Sequence, residues 1–115
     1  MGAPITHVEI QSKQQPKLVE FYGQLFDWHM DTNNPDGYAM VDTHAGKGIG
    51  AGIGQNPMGQ NFVTFYVDVS DLDGTLKKAE ALGARTVLKP TQTGPVTIAM
   101  FADPEGNMVG LAKGM

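Results

Sequence analysis

His7 and Glu9 stand two residues apart in Pro4–Ser12, a stretch whose apolar and polar residues alternate at period two. That spacing puts both on one face of a strand, with Cα atoms roughly 6.6 Å apart. Thr6, Val8 and Ile10 take the other face. An imidazole titrating near neutral pH beside a carboxylate can serve as an acid–base pair. Residues 61–69 (NFVTFYVDV) alternate in the same way, with Phe62, Thr64, Tyr66 and Asp68 on one face and Val63, Phe65, Val67 and Val69 on the other. A lining of Phe62, Tyr38, Met40 and Met108 would bury a flat or apolar ligand, while His7, Glu9, Thr64 and Tyr66 orient its polar groups. Gly50, Gly52 and Gly110 remove side chains from this face, which widens a cavity or lets a backbone or ligand come close. The alternative is that Gly48–Gly54 is a flexible edge strand without a ligand role.

The remaining residues with chemical potential are read more plainly. His29 and His44 fall at or near loop and strand ends and are expected at the surface, and Trp28 in the core. There are no cysteines, hence no disulfide, thiolate metal site or cysteine nucleophile, which fits the cytoplasm. GIGAGIG (48–54) precedes a proline linker instead of opening a helix, so it is a poor phosphate loop. No Gly-x-Ser-x-Gly elbow occurs. With a net charge of −4 and no run of Lys or Arg, nucleic acid and anionic membranes are not expected partners. No apolar stretch approaches the ~18 residues of a membrane span, and Met1–Pro4 lacks a basic-then-apolar leader.

The elements that must position these residues follow from periodicity. Residues 15–26 carry Leu18, Val19, Tyr22, Leu25 and Phe26 at helical spacing, with Pro16 in the first turn and Ser12 as a candidate cap. Short strands are expected at Trp28–Thr32, Tyr38–Asp42 and Gly46–Gly54. They are separated by the turn Asn33-Asn34-Pro35-Asp36-Gly37 and followed by the linker Asn56-Pro57-Met58-Gly59. After residues 61–69, Ser70 or Asp71 caps a helix through Leu82, with Leu72, Leu76, Ala79 and Leu82 inward and Gly83 as its stop. Strands Arg85–Leu88, Val96–Ala102 and Asn107–Lys113 complete the chain, the first ending at Lys89-Pro90.

The two halves repeat. Adding 57 carries Ile5 to Phe62, His7 to Thr64, Ile10 to Val67, Val19 to Leu76 and Leu25 to Leu82. With one further residue Gly48–Ile53 falls on Gly106–Leu111. The expectation is a single α+β domain over 1–115 built from two βαβββ modules, 4–54 and 61–113. One helix per module covers one sheet face, leaving a shared concave face as a cavity.

The segments ITHVEIQS, FYGQLFDW, FYVDVSDLDGTLKKAEALGA and FADPEGNMVGL, in this order, resemble the vicinal oxygen chelate superfamily of glyoxalase I (lactoylglutathione lyase), bleomycin-resistance proteins and extradiol dioxygenases. Its metal enzymes take one ligand from the first and one from the last strand of each module. The resemblance puts His7 at a histidine position, Thr64 where histidine is usual, and Gly52 and Gly110 where glutamate is usual. Neither Gly46–Gln55 nor Asn107–Ala112 contains Asp, Glu or His. A protein-bound transition metal needs about three or four donors, so a classical glyoxalase I is not expected.

The resemblance implies a homodimer and a small-molecule binding protein of the glyoxalase/bleomycin-resistance type, with no cofactor required. Its ligand residues would be His7, Tyr38, Gly52, Phe62, Thr64, Tyr66, Met108 and Gly110. One alternative is a metal-dependent lyase, isomerase or dioxygenase using His7 as a ligand to a divalent metal. Another is a metal-free acid–base enzyme using His7 with Glu9 or Tyr66.

Overall fold

The computed structural model describes residues 2–34, 36–56 and 59–114. Pro35 in the first turn and Pro57 and Met58 in the linker lie outside them. The chain is α+β, and its elements run β1 (Ile5–Ser12), α1 (Gln15–Phe26), β2 (His29–Asp31), β3 (Ala39–Asp42), β4 (Gly50–Gln55), β5 (Phe62–Asp68), α2 (Leu72–Ala81), β6 (Arg85–Thr93), β7 (Val96–Ala102) and β8 (Met108–Lys113). No helix among the described residues is long and apolar enough to cross a membrane. Contacts divide the chain into two compact units, residues 7–63 and residues 1–6 with 64–115.

In the first unit the strand order is β2-β3-β4-β1. β4 returns parallel to β1, pairing His7 with Gly50, Glu9 with Gly52 and Ile10 with Ile53. β3 lies antiparallel to β4 and places Met40 opposite Gly52. Ala39, Val41 and Ile53 form the core, with Ile10, Leu18, Val19, Tyr22, Trp28 and Met30 packed against them. α1 thus buries the 18/19/22 stripe, whereas Leu25 and Phe26 stay exposed. Ser12 does not cap α1. Its hydroxyl accepts from Gln14 N–H at 3.0 Å, one residue before the helix, and Gln14 occupies the cap position.

The second unit repeats the pattern as β5-β8-β7-β6. β8 is parallel to β5 and pairs Tyr66 with Gly110 and Val67 with Leu111. These are the counterparts of Glu9–Gly52 and Ile10–Ile53, so the repeat holds at the level of single residue pairs. Leu72, Leu76, Ala99 and Leu111 form the core of this unit. Asp71 caps α2 by accepting from Gly74 N–H at 3.0 Å. Gly83, at φ +104°, ends it in a conformation that glycine adopts without a Cβ penalty.

Three further expectations change. The glycine stretch becomes strand only from Gly50, because His44, Gly46 and Gly48 all have positive φ and cannot join a ladder. β6 runs past Pro90 to Thr93. Its pairing slips between Leu88 and Thr91, so the proline, which has no N–H, is skipped by the ladder of an edge strand. Leu82 follows the last turn of α2 and is 71% exposed instead of inward.

Candidate functional site

The site of the first unit is built on β1 and β4 and closed by the residue just before β3. Alternation along β1 puts His7 and Glu9 on one face, and both are buried. A buried imidazole and carboxylate must be hydrogen-bonded or they cost folding energy. Tyr38 supplies the bond to each. Its hydroxyl lies 2.9 Å from His7 Nε2 and donates to Glu9 Oε1 at 3.0 Å. A carboxylate accepts only, so the phenol proton goes to Glu9 and the phenol oxygen takes the His7 Nε2–H. With Nε2–H donated to the phenol, the other ring nitrogen of His7, Nδ1, lies on the side of Gly50. Burial lowers the His7 pKa below the ordinary 6.5, and the Glu9 charge only partly offsets this. The neutral, base-competent form is therefore favoured at neutral pH.

Tyr38 is itself held from both sides. The Asn34 carboxamide accepts from Tyr38 N–H at 3.0 Å and donates to Tyr38 C=O at 2.7 Å. The buried Gln15 amide donates to Gly37 C=O at 2.9 Å and to Ile53 C=O at 2.8 Å. One side chain of α1 thereby ties the backbone next to Tyr38 to the backbone next to Gly52. Neither Asn34 nor Gln15 was legible as a site residue. The turn signal at Asn34 was visible, but which backbone groups it would clamp depends on the folded turn.

Gly52 makes room for this arrangement. A Cβ there would collide with the Tyr38 hydroxyl and ring. The glycine lets the tyrosine lie flat on β4, so the space freed at Gly52 is filled by the protein's own phenol. The second unit does the same by another route. A Cβ on Gly110 would come within 2.6 Å of the Tyr66 ring, and Tyr66 is buried. Thr64, the counterpart of His7, gives its hydroxyl proton to Met108 C=O at 2.8 Å. Met108 and Gly110 are thus engaged with Thr64 and Tyr66 within the second unit, as His7, Glu9, Tyr38 and Gly52 are within the first. Phe62, half-buried at the start of β5, lies against a separate cavity of the first unit. His29 and His44 are exposed, with ring centroids 5.5 Å apart.

A divalent metal, as the resemblance implies, would have to be held by these residues. The first unit offers His7 and Glu9, both already bonded to Tyr38, and at the glutamate position only Gly52 under a phenol. The second offers Thr64, whose hydroxyl already serves a carbonyl, and Gly110 under a second ring. Among the described residues no group of three or more His, Cys, Asp or Glu is placed to hold a metal ion. Within the first unit His7 and Glu9 are two candidate donors, where a protein-held transition metal takes about three or four.

Solved structures share the fold at low identity. A structure described as an NAD-dependent benzaldehyde dehydrogenase from Legionella pneumophila has a TM-score of 0.69 at 18% identity, covering 95% of this chain and 98% of its own. Methylmalonyl-CoA epimerase from Mycobacterium tuberculosis gives 0.65 at 17% identity, covering 96% and 87%. A glyoxalase/bleomycin resistance protein/dioxygenase superfamily member from Vibrio splendidus gives 0.64 at 13% identity, covering 97% and 99%. No curated protein matches the sequence. The sequence model of the Glyoxalase/Bleomycin resistance protein/Dioxygenase superfamily matches residues 4–111, and the chain belongs to that superfamily.

Proposed function

We propose that the chain is a small-molecule binding protein of the glyoxalase/bleomycin-resistance type that holds its ligand through His7, Tyr38 and Glu9, without a complete protein-built metal site. The observation that carries this reading is the Tyr38 hydroxyl, which bridges His7 and Glu9 across the glycine where the metal enzymes place a glutamate. The bridge orients two buried polar groups in advance, so a ligand does not bear the cost of ordering them. Elemental analysis of protein purified without chelator, together with a thermal-shift screen, tests it. The expected result is ligand stabilisation that is lost in His7→Ala and reduced in Tyr38→Phe. Stoichiometric zinc, nickel, manganese or iron that disappears in His7→Ala would overturn it. The epimerase likeness puts acyl-CoA thioesters on the screening panel.

One observation favours a second reading, a metal-free acid–base enzyme. The neutral His7 ring, fixed through Nε2 and backed by Tyr38 and Glu9, has Nδ1 as its proton acceptor. A substrate screen followed by His7→Ala decides it, since unchanged turnover in the variant rules it out. The proposal includes a homodimer. Its support is apolar surface left open in each unit, such as Val87 on the edge strand β6, and light scattering on the purified protein tests it.

A further inference from the structure

A cavity of about 560 Å³ lies in the first unit at the opposite end of β1 from His7. Its walls come from the end of β1, the start of α1 and the segment entering β5. It shares no residue with the His7–Tyr38–Glu9 bridge, and its volume falls in the range of small-molecule sites.

The chemistry of its lining is one-sided. Ile10, Leu18, Tyr22, Phe62 and Val63 give an apolar and aromatic surface, and Val63 is 66% exposed. Lys13 and Lys17 bring two ammonium groups, and among the described residues no Asp or Glu lines the cavity. In a chain whose net charge is −4, a cavity with two cations and no anion is a local reversal of sign. The backbone donors at the start of α1 are already engaged. Gln14 N–H bonds Ser12 Oγ, Gln15 N–H bonds Gln55 Oε1, Pro16 has none, and Lys17 N–H bonds Gln14 C=O. An anion here would be met by the lysines and not by helix amides. The Asn61 carboxamide oxygen accepts from Lys13 N–H at 3.0 Å, which fixes the backbone that carries the first lysine.

We propose that this cavity binds an organic anion, a carboxylate or similar acidic group on an apolar or aromatic body. The acid sits between Lys13 and Lys17 and the body lies against Tyr22, Leu18 and Phe62. Aromatic contact and apolar burial supply affinity, and the two ammoniums select for charge. The site stands independently of the function proposed above.

The test is an NMR titration of the ¹⁵N-labelled full chain with 1-naphthaleneacetate, run in parallel with its neutral amide, 1-naphthaleneacetamide. The expected result is saturable shifts at Ile10–Leu18 and Asn61–Val63. Affinity should be at least tenfold weaker for the amide, at least tenfold weaker in Lys13→Gln/Lys17→Gln, and should fall with added salt. Both lysines are exposed, so the double variant keeps the fold, which its own spectrum checks. Equal affinity for acid and amide overturns the proposal, as does binding unchanged in the double variant or the absence of saturable shifts. Shifts confined to His7, Tyr38 and Gly52 also overturn it while leaving the His7 site standing.

Discussion

Tyr38→Phe keeps the ring over Gly52 and removes only the hydroxyl that joins His7 to Glu9. Two hydrogen bonds are lost. The one to the Glu9 carboxylate is charge-assisted and contributes roughly 1.5–3 kcal/mol, and the one from His7 roughly 0.5–1.5 kcal/mol. Tyr38 is half-buried, so water can replace part of what is removed, and a net cost of about 2 kcal/mol is expected. For a chain of this size that corresponds to a Tm lower by roughly 8 °C. The distinguishing readout is the His7 ring in a ¹H–¹⁵N long-range correlation spectrum. The wild type should show the Nε2–H tautomer, because Nε2–H donates to the phenol, and the variant should lose that preference. If Tm changes by less than about 1 °C and the ring nitrogens keep their shifts, the bridge does not hold His7 and the reasoning fails.

Gly110→Ala pushes a Cβ into the buried Tyr66 ring and should cost about 1–3 kcal/mol by denaturant unfolding. The cost should nearly vanish in a Tyr66→Ala background if the ring is its cause. Gly52→Ala should displace Tyr38 and reproduce the His7 spectral change of Tyr38→Phe. The lowered His7 pKa makes the folded state bind fewer protons than the unfolded one. Stability relative to His7→Gln should therefore be level above about pH 6.5. It should fall as pH drops from there toward the folded value, with a slope of at most about 1.4 kcal/mol per pH unit. The other two histidines are common to both proteins and cancel. Asp71→Ala removes the N-cap of α2 and should cost about 1 kcal/mol in the same unfolding assay, and Asp71→Ser should restore most of it.

Much of this chain follows from local pattern. Alternation over Ile5–Ser12 and Phe62–Asp68 and helical spacing over Gln15–Phe26 determine elements within a residue or two, because side-chain direction has a fixed period in each backbone conformation. The offset of 57 residues determined more than the elements. It made Ile10 and Val67 counterparts, and β1–β4 and β5–β8 pair them with Ile53 and Leu111 in matching registers. The candidate residues His7, Glu9, Tyr38 and Gly52 were legible one by one. That they form one hydrogen-bonded unit was not. Tyr38 lies 31 residues from His7 and 29 from Glu9. Only the β3–β4–β1 pairing, with Gln15 and Asn34 holding the chain before β3, brings its hydroxyl to both. The glycines show the same division. Sequence determined that Gly52 and Gly110 carry no side chain, but a missing Cβ leaves either a cavity or a place for a neighbour. Close packing decided for the neighbour, because a tyrosine ring laid on a bare strand gains contacts that an open cavity would forfeit.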